Sequence, residues 1–290
     1  MSRKIDFEKK LVARAELPLL NKRVLFTTPR NYAGLLTQLL VLRGARPIWA
    51  PTIEIWPLDD YHELDDALAN IKRYHWIAFT STNGIEAVCQ RLRTLNKPIA
   101  ELKKVKLAAF KADAAALENE GLQADLMPRV GDPQGMLADL KKLGVTGSKV
   151  LVPVPDVHGV DEPYVVPEFI KDLQKIGMET HRIAVYQTRA VTGGLEFELD
   201  ILKKGLADIT IFTSSAEIFA LLKLLDNDKA AINRTAVAYM GGYTARTGQR
   251  EGLRQDIIPA DMTMRGLVTA IEEHFLSRSQ DTAAPTASHS

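Results

Sequence analysis

The chain has one cysteine, Cys89. A lone cysteine cannot close an intrachain disulfide, which excludes the stapled secreted scaffolds and fits a reducing compartment. Its setting, Gly84-Ile85-Glu86-Ala87-Val88-Cys89, predicts a packed helix interior. No stretch approaches 18 consecutive apolar residues, so no membrane span is expected. An excess of one charge is also missing: 37 basic and 36 acidic residues leave a net +1. That balance provides no field for gathering a polyanion, and no nucleic-acid partner is expected. The stretch Met1-Ser2-Arg3-Lys4-Ile5-Asp6-Phe7-Glu8 mixes charges and has no apolar h-region of a secretory signal. A cytoplasmic monomer is expected, or a protein of the plastid stroma if a transit peptide has been removed.

The usual catalytic signatures are absent as well. The six histidines (His62, His75, His158, His181, His274, His289) show no ligand spacing, and there is no Cys/His cluster, so no metal site is expected. There is no G-x-G-x-x-G fingerprint, no P-loop lysine and no G-x-S-x-G elbow. The acidic pairs Asp59-Asp60 and Asp65-Asp66 read as solvated helix ends.

What the chain does contain is a repeat. Phe79-Thr80-Ser81 recurs as Phe212-Thr213-Ser214, at an offset of 133. Gly121-Leu122-x-x-Asp125-x-x-Pro128 recurs as Gly252-Leu253-x-x-Asp256-x-x-Pro259, at 131, with Gly135 and Gly266 keeping the same register. Arg23-Val24-Leu25 with Pro29 is echoed by Lys149-Val150-Leu151 with Pro155, at 126. A period of this length is too long for a solenoid unit and matches a whole domain. Two similar domains make a cleft, and clefts between domains are frequent ligand sites.

Buried β-runs alternate with helical stripes along the chain. Val24–Thr28, Trp76–Thr80, Val105–Ala109, Val150–Val154, Ile209–Thr213 and Thr235–Met240 read as strands. Leu35–Leu42, Ala112–Glu120, Gly135–Lys142, Pro163–Ile176, Ala216–Leu225 and Met264–Phe275 read as helices. Thr82 or Asn83 is expected to cap the helix after Thr80, and a further helix starts at Thr244. The alternation predicts an α/β fold with parallel sheets covered by helices. The repeat is circularly shifted: residues 23–44 match residues 149–177, yet one precedes its domain's Phe-Thr-Ser and the other follows it. The expected layout is two similar flavodoxin-like parallel-sheet domains with a cleft between them. The first domain is discontinuous, residues 22–46 plus 190–276, and the second is 58–178. Residues 47–57 and 179–189 cross between them as a two-stranded β linker. Residues 1–21 read as a short helix or irregular arm, and 277–290 as a disordered tail.

In a parallel α/β sheet, ligands bind at the carboxyl ends of the strands, where helices begin. Ser81-Thr82-Asn83 and Ser214-Ser215 place hydroxyls and free N–H groups at such helix N-termini, which attract anions. The plainer reading is that they only cap their helices. Met240-Gly241-Gly242-Tyr243-Thr244-Ala245 is a third such turn, where Gly241 and Gly242 admit a ligand close to the backbone and Thr244 caps or donates. The matching turn of the other domain is Phe110-Lys111-Ala112-Asp113, with Asp113 in place of Thr244. The two faces are therefore not equivalent. Tyr186, in Ala184-Val185-Tyr186-Gln187-Thr188, lies on the return crossing, either packing there or donating a proton to a leaving oxygen.

These pieces, in this order, resemble the uroporphyrinogen-III synthase family from about Lys22 to Phe275. The resemblance rests on Leu25-Phe26-Thr27-Thr28-Pro29-Arg30, Pro51-Thr52-Ile53-Glu54-Ile55 and Trp76-Ile77-Ala78-Phe79-Thr80-Ser81-Thr82-Asn83-Gly84. It continues through Val185-Tyr186-Gln187-Thr188, Ile211-Phe212-Thr213-Ser214 and Gly241-x-x-Thr244-Ala245. The resemblance implies a cofactor-free lyase that closes hydroxymethylbilane, a linear tetrapyrrole with eight carboxylates, with loss of water and inversion of its last ring. It implies that Tyr186 is the acid near the leaving hydroxyl. It implies that Thr244 and the serine-rich turn at Ser214 and Ser215 hold the substrate, and the turn chemistry adds Ser81, Thr82, Asn83, Gly241, Gly242, Tyr243 and, more weakly, Arg30 as expected substrate-holding groups. A second reading stays open: a non-catalytic two-domain protein that binds a tetrapyrrole or another anion.

Overall fold

A computed structural model describes residues 17–128 and 133–281. The expected arm over residues 1–16 and the expected tail over 282–290 lie outside the described residues. Boundaries at Ile53/Glu54 and Ala190/Val191 divide the chain into two compact units, the first running up to Ile53 and from Val191 onward, the second Glu54–Ala190.

In the first unit the chain runs through β1 (Arg23–Phe26), α1 (Arg30–Val41) and β2 (Arg46–Trp49) before leaving. The second unit holds β3 (Ile53–Trp56), α2 (His62–Ala69), β4 (Trp76–Ala78), α3 (Thr82–Thr94), β5 (Lys106–Ala108) and α4 (Lys111–Asn119). It continues with α5 (Pro133–Lys142), β6 (Lys149–His158), α6 (Val165–Lys175) and β7 (Glu179–Ala190). Back in the first unit come α7 (Glu196–Lys203), β8 (Ile209–Phe212), α8 (Ser215–Leu224), α9 (Lys229–Asn233), β9 (Ala236–Tyr239), α10 (Gly242–Arg250) and α11 (Met264–Asp281).

The first sheet has the order β2-β1-β8-β9, every pair parallel, and is extended past β9 by a parallel bridge between Ala238 and Ile257. The second has the order β3-β7-β6-β4-β5, parallel from β7 to β5, and is extended by a parallel bridge between Ala108 and Leu126. With β6 and β7 matched to β1 and β2, the two sheets share one internal order, as the circular shift of the repeat requires.

Both sheets are covered on both faces, so their strands are apolar at consecutive positions. In β1, Val24 and Phe26 enter one apolar cluster with α1 and α11, while Leu25 enters the opposite one with Phe212 and Tyr239. In β4, Trp76 and Ala78 face Met136, Leu140 and Phe169, and Ile77 faces Val88, Leu92 and Leu107.

The repeated motifs hold these sheets together. Gly121 (φ +70°) and Gly252 (φ +76°) end α4 and α10 in the left-handed region that glycine adopts without a Cβ penalty. The next residues bond back, Leu122 N–H to Leu117 O at 2.9 Å and Leu253 N–H to Gly248 O at 2.8 Å. Three residues on, Asp125 accepts from Leu107 N–H at 2.8 Å and Asp256 from Val237 N–H at 2.9 Å. The two aspartates thus satisfy strand donors at matching positions of the two sheets. Gly44 (φ +81°) and Gly177 (φ +86°) are matching C-terminal caps after α1 and α6.

Several boundaries differ from the sequence expectation. The pairing expected between residues 47–57 and 179–189 is present, since β3 (Ile53–Trp56) neighbours β7, but both are strands of the second sheet rather than a separate linker, and Arg46–Trp49 is an edge strand of the first sheet. Residues 179–189 fall within β7, which pairs along ten residues of β6 and is an integral strand of the second sheet. Its buried Ile183, Val185 and Tyr186 anchor it there. Residues 277–281, expected to belong to a disordered tail, are helical, since α11 runs on to Asp281. Glu272, Glu273, Arg278 and Gln280 favour helix, and the first proline beyond is Pro285. Ser81, not Thr82 or Asn83, caps α3, accepting from Gly84 N–H at 3.1 Å. Its extended backbone makes it the last residue outside the helix. Asp65 and Asp66 are ion-paired: Arg91 grips Asp65 with two bonds of 2.6 Å, and Arg73 meets Asp66 at 3.0 Å. Cys89 is fully buried, and burial pushes its thiol up to about 12, as suits an inert packing residue.

Candidate active site

In the second unit the carboxyl ends of β4 and β5 bring together the turns at 81–83 and 110–113. Tyr186 reaches the first of them from β7. Its hydroxyl lies 3.3 Å from Ser81 Oγ, and it also bonds Asn83 and Thr188. The side chain is 7% exposed. Burial holds the phenol pKa above its usual value, partly offset by these bonds, and the nearby Asp113 charge raises it further. Tyr186 is therefore a protonated, hydrogen-bonded phenol at neutral pH.

Asp113 lies in the first turn of α4 and is 8% exposed. It takes the Thr82 hydroxyl proton at 2.8 Å, and the Thr82 backbone N–H also donates to it. Burial pushes its carboxyl up to about 6, against the pull of those two bonds. It remains mostly ionised at pH 7. The Thr82 hydroxyl, read from the sequence as a ligand donor, has its proton committed to Asp113.

The first unit builds the same corner with different groups. Ser214 caps α8, and Ser215 Oγ meets Thr247 Oγ1 at 2.7 Å, joining α8 to α10. Beneath them Glu217 is fully buried. Its carboxyl accepts from Thr27 Oγ at 2.6 Å, Thr213 N–H at 2.8 Å, Thr213 Oγ at 2.5 Å and Ser214 Oγ at 3.1 Å. Burial raises its pKa and the four bonds oppose the rise. The Ser214 hydroxyl, like that of Thr82, points its proton at an internal carboxyl.

The third turn begins at Gly241, whose extended φ of −168° caps α10. A side chain on Gly241 would meet Met262 Sδ at 2.8 Å, whereas nothing lies within 4 Å of the position a Gly242 Cβ would take. Gly242 therefore leaves its backbone open to approach. Thr244 is 7% exposed in the next positions of the helix, and Arg246 stacks on the Tyr243 ring at 4.3 Å. Arg30 is exposed at the start of α1. The fully buried Thr28 hydroxyl just before it has no hydrogen-bond partner.

Tyr186, Ser81, Thr82 and Asn83 are thus assembled at one sheet edge of the second unit. At the matching edge of the first, Ser215 is linked to α10 and Ser214 caps α8. Sequence reasoning missed Glu217 and Thr27 as members of these corners. Ser214-x-x-Glu217 has the spacing of a capping box, but the carboxyl's bond to Thr27 joins residues 190 positions apart, which no local pattern displays. A separate cavity of about 1170 Å³ opens at the amino ends of β4 and β5, lined by Lys72, Lys103, Lys104, Lys106, Glu118 and Asp125 among others. It lies at the sheet edge opposite the turns, and the two acids offset part of its basic charge. Among the described residues no group of three His, Cys, Asp or Glu side chains is arranged to hold a metal ion. No described helix is long and apolar enough to cross a membrane.

Comparison with known proteins bears on this arrangement. The uroporphyrinogen-III synthase of Synechococcus elongatus is 26% identical over 264 residues, covering 89% of this chain and 97% of its own length. That of Chlorobaculum parvum is 24% identical, covering 87% of this chain and 98% of its own. A crystal structure of a mutant uroporphyrinogen III synthase from Thermus thermophilus superposes with a TM-score of 0.64 at 15% identity, over 88% of this chain and 99% of that one, which shows a common fold. The family model described as uroporphyrinogen-III synthase HemD matches residues 35–269. The chain belongs to the uroporphyrinogen-III synthase family.

Proposed function

We propose that this chain closes hydroxymethylbilane to uroporphyrinogen III with Tyr186 as the acid and the carboxyl-edge turns as the substrate's holders. The cyclising-lyase activity and its place in tetrapyrrole biosynthesis follow from family membership. The observation that carries the residue assignment is Tyr186: a buried phenol bonded to Ser81 and Asn83 at the end of a strand where helices begin. Tyr186 gives its proton to the terminal hydroxyl of the bilane as the carbon–oxygen bond breaks, and water leaves. The last ring then attacks at its substituted carbon, and closure proceeds with inversion. Enforcing that geometry is positional catalysis.

The eight carboxylates are held by backbone N–H groups at Gly241–Thr244 and at the α8 N-terminus, with Thr244, Ser215 and Arg30 assisting. The open approach above Gly242 supports this assignment. Ser81, Asn83 and Tyr243 orient neighbouring groups. Ser214 presents oxygen lone pairs and its backbone donor, since its hydroxyl proton is engaged, whereas Thr82 has only a lone pair left to offer, its hydroxyl and backbone N–H both being committed to Asp113. The protein works as a cytoplasmic monomer without a nucleic-acid partner, in keeping with its +1 net charge and single buried thiol.

Replacing Tyr186 with Phe tests the assignment. The ring's packing is kept and the proton lost, so isomer III formation falls tenfold or more, roughly, on the scale of a general acid. An unchanged rate in a folded Tyr186→Phe protein removes Tyr186 from the chemistry.

A further inference from the structure

The two corners obey one repeat yet place their internal acids differently: Glu217 takes the Ser214 hydroxyl in the first unit, and Asp113 takes the Thr82 hydroxyl in the second. Thr82 and Ser215 are repeat mates, and each sends its hydroxyl to a later helix of its own unit. Ser215 meets a neutral partner, Thr247 at 2.7 Å, whereas Thr82 meets an acid, Asp113 at 2.8 Å. Asp113 stands where the other unit carries Thr244. Its carboxylate takes both the hydroxyl and the backbone N–H of Thr82, the donors that a ligand carboxylate would use at the α3 N-terminus. It is close enough to Tyr186 for its charge to act on the phenol. The turn beside the acid is thus already filled by a fixed negative charge belonging to the protein.

We propose that Asp113 is a specificity determinant that bars substrate carboxylates from the Tyr186 corner, so that the uncharged hydroxymethyl end of the bilane docks there. Discrimination of this kind works by penalising the wrong arrangement: a ligand carboxylate at this turn would meet a like charge and lose its donors. Asp113 does this as the ionised form, which its carboxyl adopts at neutral pH even with its pKa pushed up to about 6. The titratable group on which its charge acts is Tyr186 on β7, and its carboxylate accepts its hydrogen bonds from Thr82.

This inference rests on the proposed reading of the Tyr186 corner, and two variants test it. Asp113→Thr copies the residue at the matching turn and removes both charge and acceptor, while Asp113→Asn keeps an acceptor for Thr82 and removes the charge. Removing the bar lets acid side chains settle at the wrong corner. Such non-productive binding lowers kcat and KM together and leaves kcat/KM unchanged. Both variants should therefore lower kcat and KM three- to tenfold in parallel, with kcat/KM within twofold of the parent protein. Uroporphyrin III, a stable octacarboxylate followed by its own fluorescence, should bind each variant at least threefold more tightly. A loss of kcat/KM at constant KM, or uroporphyrin III binding equal to that of the parent protein, overturns the proposal. If the parent protein makes no isomer III, the proposed function fails first, and the uroporphyrin III comparison alone decides whether Asp113 repels acids.

Discussion

At the scale of single residues, the buried carboxyls are the informative groups. Asp113 and Glu217 lie below their hydroxyl partners, nearly or fully out of solvent, and both have raised pKa values caused first by burial. A raised carboxyl pKa means that the folded state prefers the protonated form. The stabilising effect is complete below the unfolded value near 3.8 and is lost as pH rises through about 6. Ionised Asp113 therefore costs stability at neutral pH, on the order of 3 kcal/mol from a shift of about two units. Asp113→Asn should make the protein more stable to urea at pH 8 by up to about that amount, and the gain should vanish by about pH 4. An equal gain at both pH values would show that packing, not charge, is responsible. Thr244→Val probes the opposite corner: it keeps the shape and removes the hydroxyl. KM for hydroxymethylbilane should rise severalfold with kcat little changed, because a group that holds the substrate without touching the reacting atoms contributes uniform binding.

At the scale of elements, the repeat is explained by backbone accounting. Asp125 and Asp256 satisfy strand N–H groups, and Gly121 and Gly252 end the helices before them. Asp256→Ala should cost about 1–3 kcal/mol in chemical denaturation, the penalty of an orphaned donor, and Asp125→Ala a similar amount. If either substitution is neutral, the repeat motif needs another cause. These features were legible in the sequence because they are local: a glycine with positive φ, a leucine that packs back, an aspartate at fixed spacing. Parallel strands were legible from their continuous apolar runs, such as Val24-Leu25-Phe26 and Ile209-Thr210-Ile211-Phe212. The membership of β2, β3 and β7 in particular sheets was not, because strand partners are set by contacts such as Lys149 with Glu179, 30 positions apart. The helix caps were misplaced by one residue because Ser81, Thr82 and Asn83 are all competent caps, and only the backbone angles choose among them.

At the scale of the whole molecule, one internal order serves two units that are wired differently along the chain. The match between β2-β1-β8-β9 and β7-β6-β4-β5 was foreseeable, since the circular offset of residues 23–44 against 149–177 dictates it. The candidate site was legible only in outline. Tyr186, Ser81 and Asn83 do meet at one edge, but the partners that decide what each hydroxyl does, Asp113 and Glu217, belong to other elements. Ser214 and Thr82 read from the sequence as proton donors to a ligand, and both prove to be donors to the protein's own carboxyls. Internal acids thus occupy both corners, Asp113 in the second unit and Glu217 in the first.

The most direct measurement is the isomer composition formed from freshly generated hydroxymethylbilane, separated after oxidation. Without a protein that guides closure, the bilane cyclises without inversion and yields isomer I. With this protein present in catalytic amount, isomer III should dominate and its yield should scale with protein added. Isomer I alone, from a folded protein that still binds uroporphyrin III, would contradict the account and leave a tetrapyrrole-binding protein without the closure activity.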